Sequence, residues 1–307
     1  MSLLVVGSVA LDSVETPEAS RDEVLGGSAS FFSAVATLVG PVRLVAVVGD
    51  DFPEEHVEFL GQCGVDLAGL QRAPGRTFRW KGRYLPDMVG RETLDTQLNV
   101  FEQFDPQLCQ AYRDSQYVFL ANIHPALQLN VLRQVERPKL VACDTMNLWI
   151  NQERETLEQV LRQVDILLIN DEEAALLSGR RNLVQAAARM REMGPSQVVI
   201  KRGDAGAMLF DDNGVFWVPA FPVETTVDPT GAGDSFAGGL ISYLAHTGDL
   251  TPSGHRCAMV YGSSVGSFCV EDFSLDRFRT LTLDEVMSRC RAFHDLVHFE
   301  MVELTRQ

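Results

Sequence analysis

The run Val227-Asp228-Pro229-Thr230-Gly231-Ala232-Gly233-Asp234-Ser235-Phe236 holds the residues best suited to chemistry. Two glycines and an alanine open a stretch, residues 235–246, whose apolar positions return at helical spacing. The N–H groups at such an opening have no intrahelical acceptors, so they can face an anion. Gly231 and Gly233 remove the Cβ atoms that would hold a phosphate away from the chain. Asp234 sits among the same donors, where the positive end of the helix favours its ionised form. A carboxylate beside a phosphate cradle is what a hydroxyl needs to lose its proton while attacking a phosphoryl group. A loop with Asp234 as a plain helix cap would explain the same residues without chemistry.

Such residues need a frame, and the chain offers one. Short apolar runs alternate with helical patterns, the sequence form of an α/β fold with a mostly parallel sheet. Buried strands are expected at residues 3–6, 44–48, 118–121, 140–143, 166–169 and 198–200. Helices are expected at 29–39, 53–63, 127–136, 153–163 and 183–193, with the last third mainly helical. Asp212-Asn213-Gly214 marks a hairpin between residues 208–211 and 215–218. One segment, residues 76–101, breaks the rhythm. There Phe78, Trp80 and Tyr84 fall on one strand face, which predicts a half-buried antiparallel ribbon.

At 307 residues, 46% hydrophobic and 22% charged, the chain has ample core material, and one domain over 1–307 with an appendage is expected. A formal net charge of −16 argues against nucleic acid and acidic membranes as partners. It also means that an anionic substrate must be held by local donors. Six cysteines without Cys-x-x-Cys spacing read as reduced thiols of a cytoplasmic protein. The first residues enter a strand with no signal-like segment, and no apolar run reaches membrane-spanning length.

Residues 228–236, Asp-Pro-Thr-Gly-Ala-Gly-Asp-Ser-Phe, closely resemble the C-terminal signature of the PfkB/ribokinase family of carbohydrate and nucleoside kinases. Further matching pieces stand in the family's order. Gly26-Gly27 comes early, Asn170 and Glu173 form an Asn-x-x-Glu pair after a strand, and Lys201-Arg202-Gly203-Asp204-Ala205-Gly206 follows another. The resemblance implies a three-layer αβα sandwich with a mostly parallel central sheet. It also implies a small antiparallel β lid within about residues 12–25 and 73–103, covering the substrate and forming a homodimer contact.

It implies, too, an ATP-dependent kinase acting on a hydroxyl, first of all the hydroxymethyl group of a sugar or polyol. Asp234 would be the general base, and the amides of Gly231, Ala232, Gly233 and Asp234 the anion hole. Asn170 and Glu173 would help hold Mg²⁺ with ATP through water; the same spacing also makes a capping box. Lys201, Gly203, Asp204, Gly206 and Thr230 match positions beside the nucleotide, while residues 203–206 read equally as a tight turn. Asp228 and Thr230, with carbonyls near residues 263–268, resemble a K⁺ site found in some relatives.

On the acceptor side, Asp12, Gly26, Gly27 and Ser28 match substrate-binding positions, with Asn122 and Asp144 at strand ends on the same edge. Many relatives place an Asn shortly after the glycine pair, where this chain has Ser30, Phe31 and Phe32. A phenylalanine cannot hydrogen-bond a sugar, so a nucleoside acceptor is the alternative, with Phe31, Phe32 and Trp80 to stack on its base. A non-catalytic sensor of nucleotide or sugar is the rival from another class, although a sensor could lose Asp234 and its glycines freely. His294 and His298 share a helix face, but Asp295 stands where a zinc protease needs Glu and no third ligand follows. A solvated face is expected there. The chain has no Walker A lysine motif, and Gly231-Ala232-Gly233 lacks the third glycine of a dinucleotide fingerprint.

Overall fold

In the computed structural model, which describes residues 2–298 and 300, the buried strands are apolar on both sides. Leu3 and Val5 of the first strand enter one hydrophobic cluster, and Leu4 and Val6 enter another across the sheet. Helices covering both faces explain why these runs are continuous rather than alternating. In chain order the strands are β1 (Leu3–Val6), β2 (Ala10–Glu15), β3 (Ser20–Gly26), β4 (Val42–Gly49), β5 (Val65–Ala73), β6 (Arg79–Tyr84) and β7 (Arg91–Gln97). There follow β8 (Tyr117–Leu120), β9 (Leu140–Asp144), β10 (Ile166–Asn170), β11 (Gln197–Lys201), β12 (Ala207–Asp211) and β13 (Gly214–Val218).

Nine strands form the central sheet in the order β13-β12-β11-β10-β9-β8-β1-β4-β5. All neighbours from β5 to β11 are parallel, and the β12–β13 hairpin adds two antiparallel edge strands. Helices Ser28–Ala36, Ala232–Thr247, Pro252–Cys269 and Leu283–Val297 pack on one face. Helices Pro125–Gln134, Arg154–Leu161, Asp171–Ser178 and Leu183–Arg191 pack on the other. This is the expected three-layer sandwich. The expected helices mostly overrun the observed ones by one to three residues, as frayed ends allow. Strand β5 escaped the reading because it is an edge strand of mixed polarity, half-exposed along its length. Among the described residues, no helix is long and apolar enough to cross a membrane.

The remaining strands form a separate sheet in the order β3-β2-β6-β7. Its outer pairs are antiparallel and its central pair, β2–β6, is parallel. The register sets Asp12 opposite Trp80 and Val14 opposite Gly82. Past a shift between Lys81 and Gly82, it sets Gly82 opposite Thr93 and Tyr84 opposite Arg91. One face of this sheet therefore carries Asp12, Val14, Trp80, Gly82, Tyr84 and Arg91. The expected grouping of Phe78 with Trp80 and Tyr84 does not hold. Phe78 precedes β6 and stacks on Phe101 in the main core, with ring centroids 5.4 Å apart.

Candidate active site

Three neighbouring parallel strands, β9, β10 and β11, end in Asp144, Asn170 and Lys201. The carboxyl edge of such a sheet is where open α/β folds present side chains to ligands. The Lys201 ammonium donates to the Asp144 carboxylate, and only 3% of Asp144 is exposed. Burial works against the charge on Lys201. Asp144, Asp234 and Glu173 outweigh it and hold the lysine pKa above its ordinary value. Lys201 also borders the helix start, since a Cβ added to Gly233 would lie 3.4 Å from its Nζ.

That helix, Ala232–Thr247, is seated deeply because small residues let its neighbours approach. A Cβ on Gly238 would meet the Phe32 carbonyl at 2.6 Å, and one on Gly239 would meet Gly262 Cα at 2.9 Å. Its N-cap, Gly231, has φ +77°, and a Cβ there would lie 2.3 Å from the Phe31 ring. Phe31 is thus the packing floor beneath the turn. The expected set of four amide donors loses one, because Ala232 N–H donates to the Pro229 carbonyl at 3.2 Å. The N–H groups of Gly231, Gly233 and Asp234 meet no acceptor among the described residues. Asp234 is half-buried, and burial raises its pKa to about 6; Lys201 and Arg91 pull against that rise, and Asp144 adds to it.

Asp12 enters the same cleft from β2. Burial lifts its pKa to about 7, helped by Asp228 and Asp234 and opposed by the Gly27 N–H, which donates to Oδ2 at 3.3 Å, and by Arg91. Gly26 makes room for that carboxylate, since an added Cβ would stand 1.9 Å from Asp12 Oδ2. Gly27 has φ +92° and leaves no space beside the Ser8 carbonyl, 2.5 Å from where its Cβ would be.

Other expected acceptor ligands are already engaged. The Ser28 hydroxyl lies 3.1 Å from Ser8 Oγ and is buried. Asn122 accepts from Trp149 Nε1 at 3.0 Å and donates to Met146 Sδ at 3.2 Å. Asp144 accepts from its own neighbour, Thr145 N–H, at 2.8 Å in addition to Lys201. All three side chains are thus braced by neighbours at the edge of the site. Phe32 is equally committed: it stacks on Phe119 at 4.5 Å in the core and cannot meet a base. Trp80, by contrast, stays half-exposed, its ring lying over Gly82.

On the phosphate side, Asn170 and Glu173 form the capping box foreseen from their spacing. Asn170 Oδ1 accepts from Glu173 N–H at 2.8 Å, and Glu173 Oε2 accepts from Asn170 N–H at 3.0 Å. Burial and Asp144 raise the Glu173 pKa to about 7, against Lys201, the Asn170 N–H and Arg91. Its Oε1 has no partner among the described residues, so the cap leaves one oxygen for a hydrated ion. No cluster of three or more His, Cys, Asp or Glu side chains suited to a metal occurs among those residues. That donor set fits Mg²⁺, which keeps much of its water and takes oxygens from nucleotide phosphates. His294 and His298 stack on each other in the exposed end of the chain.

Gly203, Asp204 and Ala205 form a 3₁₀ turn between β11 and β12, with Asp204 exposed. Gly206, at φ +85°, closes it under the Val218 carbonyl, 2.1 Å from where a Cβ would be. Asp228 is fully buried and accepts from Thr230 N–H at 2.9 Å and Ser274 N–H at 3.2 Å. Residues 263–268 lie inside the Pro252–Cys269 helix, whose own ladder uses most of their carbonyls.

The small sheet reaches the cradle directly. Thr230 Oγ1 donates to Tyr84 Oη at 3.3 Å, one residue before Gly231. The turn between β6 and β7 reaches the β11–β12 turn, where Val89 Cγ1 lies 3.8 Å from the Cβ position of Gly203. Arg91, unforeseen from the sequence, follows that turn and faces the same cleft. Its guanidinium carbon is 5.9 Å from the Trp80 ring centroid. Burial opposes its charge, but Tyr84, Glu173 and Asp234 keep its pKa above the usual arginine value. The one sequence signal for it is its place after Gly90, where the β6–β7 hairpin turns back; register alone puts it on the inner face.

Layers, strand order and small sheet together make a ribokinase fold. A protein provisionally named Ribokinase II from E. coli, solved with ATP and Mg²⁺, superimposes with a TM-score of 0.78 over 95% of this chain and 99% of that chain, at 22% identity. Residues 2–275 match the model of the pfkB family of carbohydrate kinases, and the chain belongs to that family. Relatives divide over the acceptor, and a 2-dehydro-3-deoxygluconokinase of Thermoproteus tenax is 28% identical over 72% of this chain and 73% of its own length. The cytidine kinase of Thermococcus kodakarensis is 31% identical over 79% of this chain and 88% of its own length. The nucleoside kinase of Methanothermobacter thermautotrophicus is 26% identical over 88% of this chain and 89% of its own.

Proposed function

We propose that this kinase transfers the γ-phosphoryl group of ATP to the hydroxymethyl group of a nucleoside. The observation that carries the acceptor class is Trp80, a half-exposed indole set opposite Asp12 on one face of the small sheet. Asp12 suits the paired hydroxyls of a ribose. An indole face suits a base, and stacking of this kind is tolerant of which base it meets. Similarity to a cytidine kinase and a nucleoside kinase supports the same reading.

Asp234 takes the proton of the acceptor hydroxyl as its oxygen attacks. The amides of Gly231, Gly233 and Asp234 receive the charge that spreads over the phosphoryl oxygens. Lys201, fixed by Asp144, holds positive charge against the cradle. Mg²⁺, when bound near Glu173, supplies neutralisation of the polyphosphate. The small sheet acts as a lid, and Leu85, Val89 and Leu94, exposed on it, give the homodimer its contact. The setting is cytoplasmic.

A free sugar or polyol is the second reading, favoured by the family's carbohydrate kinases. An ADP-release assay with cytidine, inosine, adenosine, ribose and fructose separates the two. Nucleosides are expected to give the higher kcat/KM. Turnover of the free sugars alone would reject the nucleoside. Tight ATP binding without turnover of anything would favour a sensor.

A further inference from the structure

We infer that Arg91 contacts the migrating phosphoryl group, delivered to it by the sheet that also carries Asp12. This rests on the phosphotransferase reading and adds to it a reacting-centre cation from outside the main body. Three contacts locate the residue. Its cross-strand partner Tyr84 bonds to Thr230, at the mouth of the amide cradle. The turn just before it touches Gly203, beside the end of β11. Its guanidinium stands beside the Tyr84 hydroxyl and near the outer limit of a cation–π contact with Trp80, which leaves most of its five N–H donors for a ligand.

Charge supplies the reason. Asp12, Asp144, Glu173 and Asp234 all face this cleft, and the chain as a whole carries −16. Lys201 is already paired with Asp144. No carboxylate of the described residues forms an ion pair with Arg91. Glu173 and Asp234 nevertheless lie within its electrostatic reach. During transfer the acceptor O–H bond breaks, its proton passing to Asp234, and a new O–P bond forms. The bond from the γ-phosphorus to the bridging oxygen breaks, and its electron pair leaves with ADP. Amides take up charge from the floor of the cleft, and the planar guanidinium takes it up from above, where two parallel N–H groups match two phosphoryl oxygens.

The test uses the full chain as Arg91→Met and Arg91→Lys. Adenosine, ADP and the non-hydrolysable analogue AMP-PNP are titrated by calorimetry with Mg²⁺ present. Arg91→Met is expected to weaken the analogue by about 10–100-fold, the worth of a charged hydrogen bond, with a smaller loss for ADP and none for adenosine. With whichever acceptor the parent turns over, kcat is expected to fall on the order of 10²–10³-fold. Millimolar guanidinium should restore part of it in Arg91→Met, and Arg91→Lys should lie between. An equal loss for all three ligands would mean that the arginine only holds the sheet in place. Unchanged affinity for the analogue, with a raised acceptor KM alone, would make it an acceptor ligand. Either result overturns the proposal. If the unaltered enzyme phosphorylates nothing, the acceptor reading fails while the three-ligand series still decides Arg91.

Discussion

The floor and the roof of the cleft are built on opposite terms. On the floor, the proposed anion hole is backbone: bare amides at a helix start beside Asp234, with Gly231 leaving no room for a Cβ against Phe31. On the roof, function sits in side chains carried by β2, β6 and β7, and β7 is exposed along nearly all its length. A backbone site is rigid and indifferent to what is phosphorylated. The acceptor-facing side chains of a thin sheet, Asp12 and Trp80, can be rebuilt for another acceptor without touching that backbone. The comparison predicts that damage to the floor lowers turnover of every acceptor, while on the roof changes at Asp12 and Trp80 redirect it and a change at Arg91 lowers it.

The sharpest break is Asp234→Asn, expected to keep fold and ligand affinity while lowering kcat about 10²–10⁴-fold. A near-parental rate in stopped assays would remove the base from the floor. Gly231→Ala comes next. Its side chain would meet both a left-handed backbone and the Phe31 ring, at a cost of about 2–4 kcal/mol in urea unfolding. On the roof, Trp80→Ala should raise the nucleoside KM about 10-fold and leave ribose kinetics alone. Equal changes for both would show that the indole serves the sheet rather than the base.

The smallest effect concerns pH. Asp12 and Glu173 are raised to about 7 and Asp234 to about 6, so the folded state binds these protons more tightly than the unfolded chain does. Their contribution favours the fold below the unfolded pKa, near 4, and is lost as pH climbs through 6 and 7. Ligand-free Asp12→Asn should therefore melt with a shallower fall in Tm between pH 5 and pH 8 than the parent. Parallel slopes by calorimetry would contradict the raised pKa.

The same division governs what could be read from residues alone. The floor was legible because its parts are adjacent in the chain: glycine, amide and carboxylate follow one another from residue 231 to 234. Asn170 and Glu173 were legible for the same reason, three positions apart on one helix start. The partners of Ser28, Asn122 and Asp144, namely Ser8, Trp149 and Lys201, were not legible because they are distant in sequence. Phe32 suits a base by residue type alone, but Phe119, remote in sequence, stacks against it in the core. Arg91 was not legible as a site residue: one extra residue in β7, Leu94, decides which face it takes, and local pattern does not encode that shift.

The space that Gly26 leaves for Asp12 carries a consequence for how such enzymes can diverge. One strand owns the carboxylate, and a different strand owns the room it stands in. Lengthening residue 26 by a single methyl would evict the acid as surely as mutating position 12 itself. A lineage that abandons one of the two loses any constraint on keeping the other, so the pair should drift together, as a unit of inheritance that neither position reveals alone.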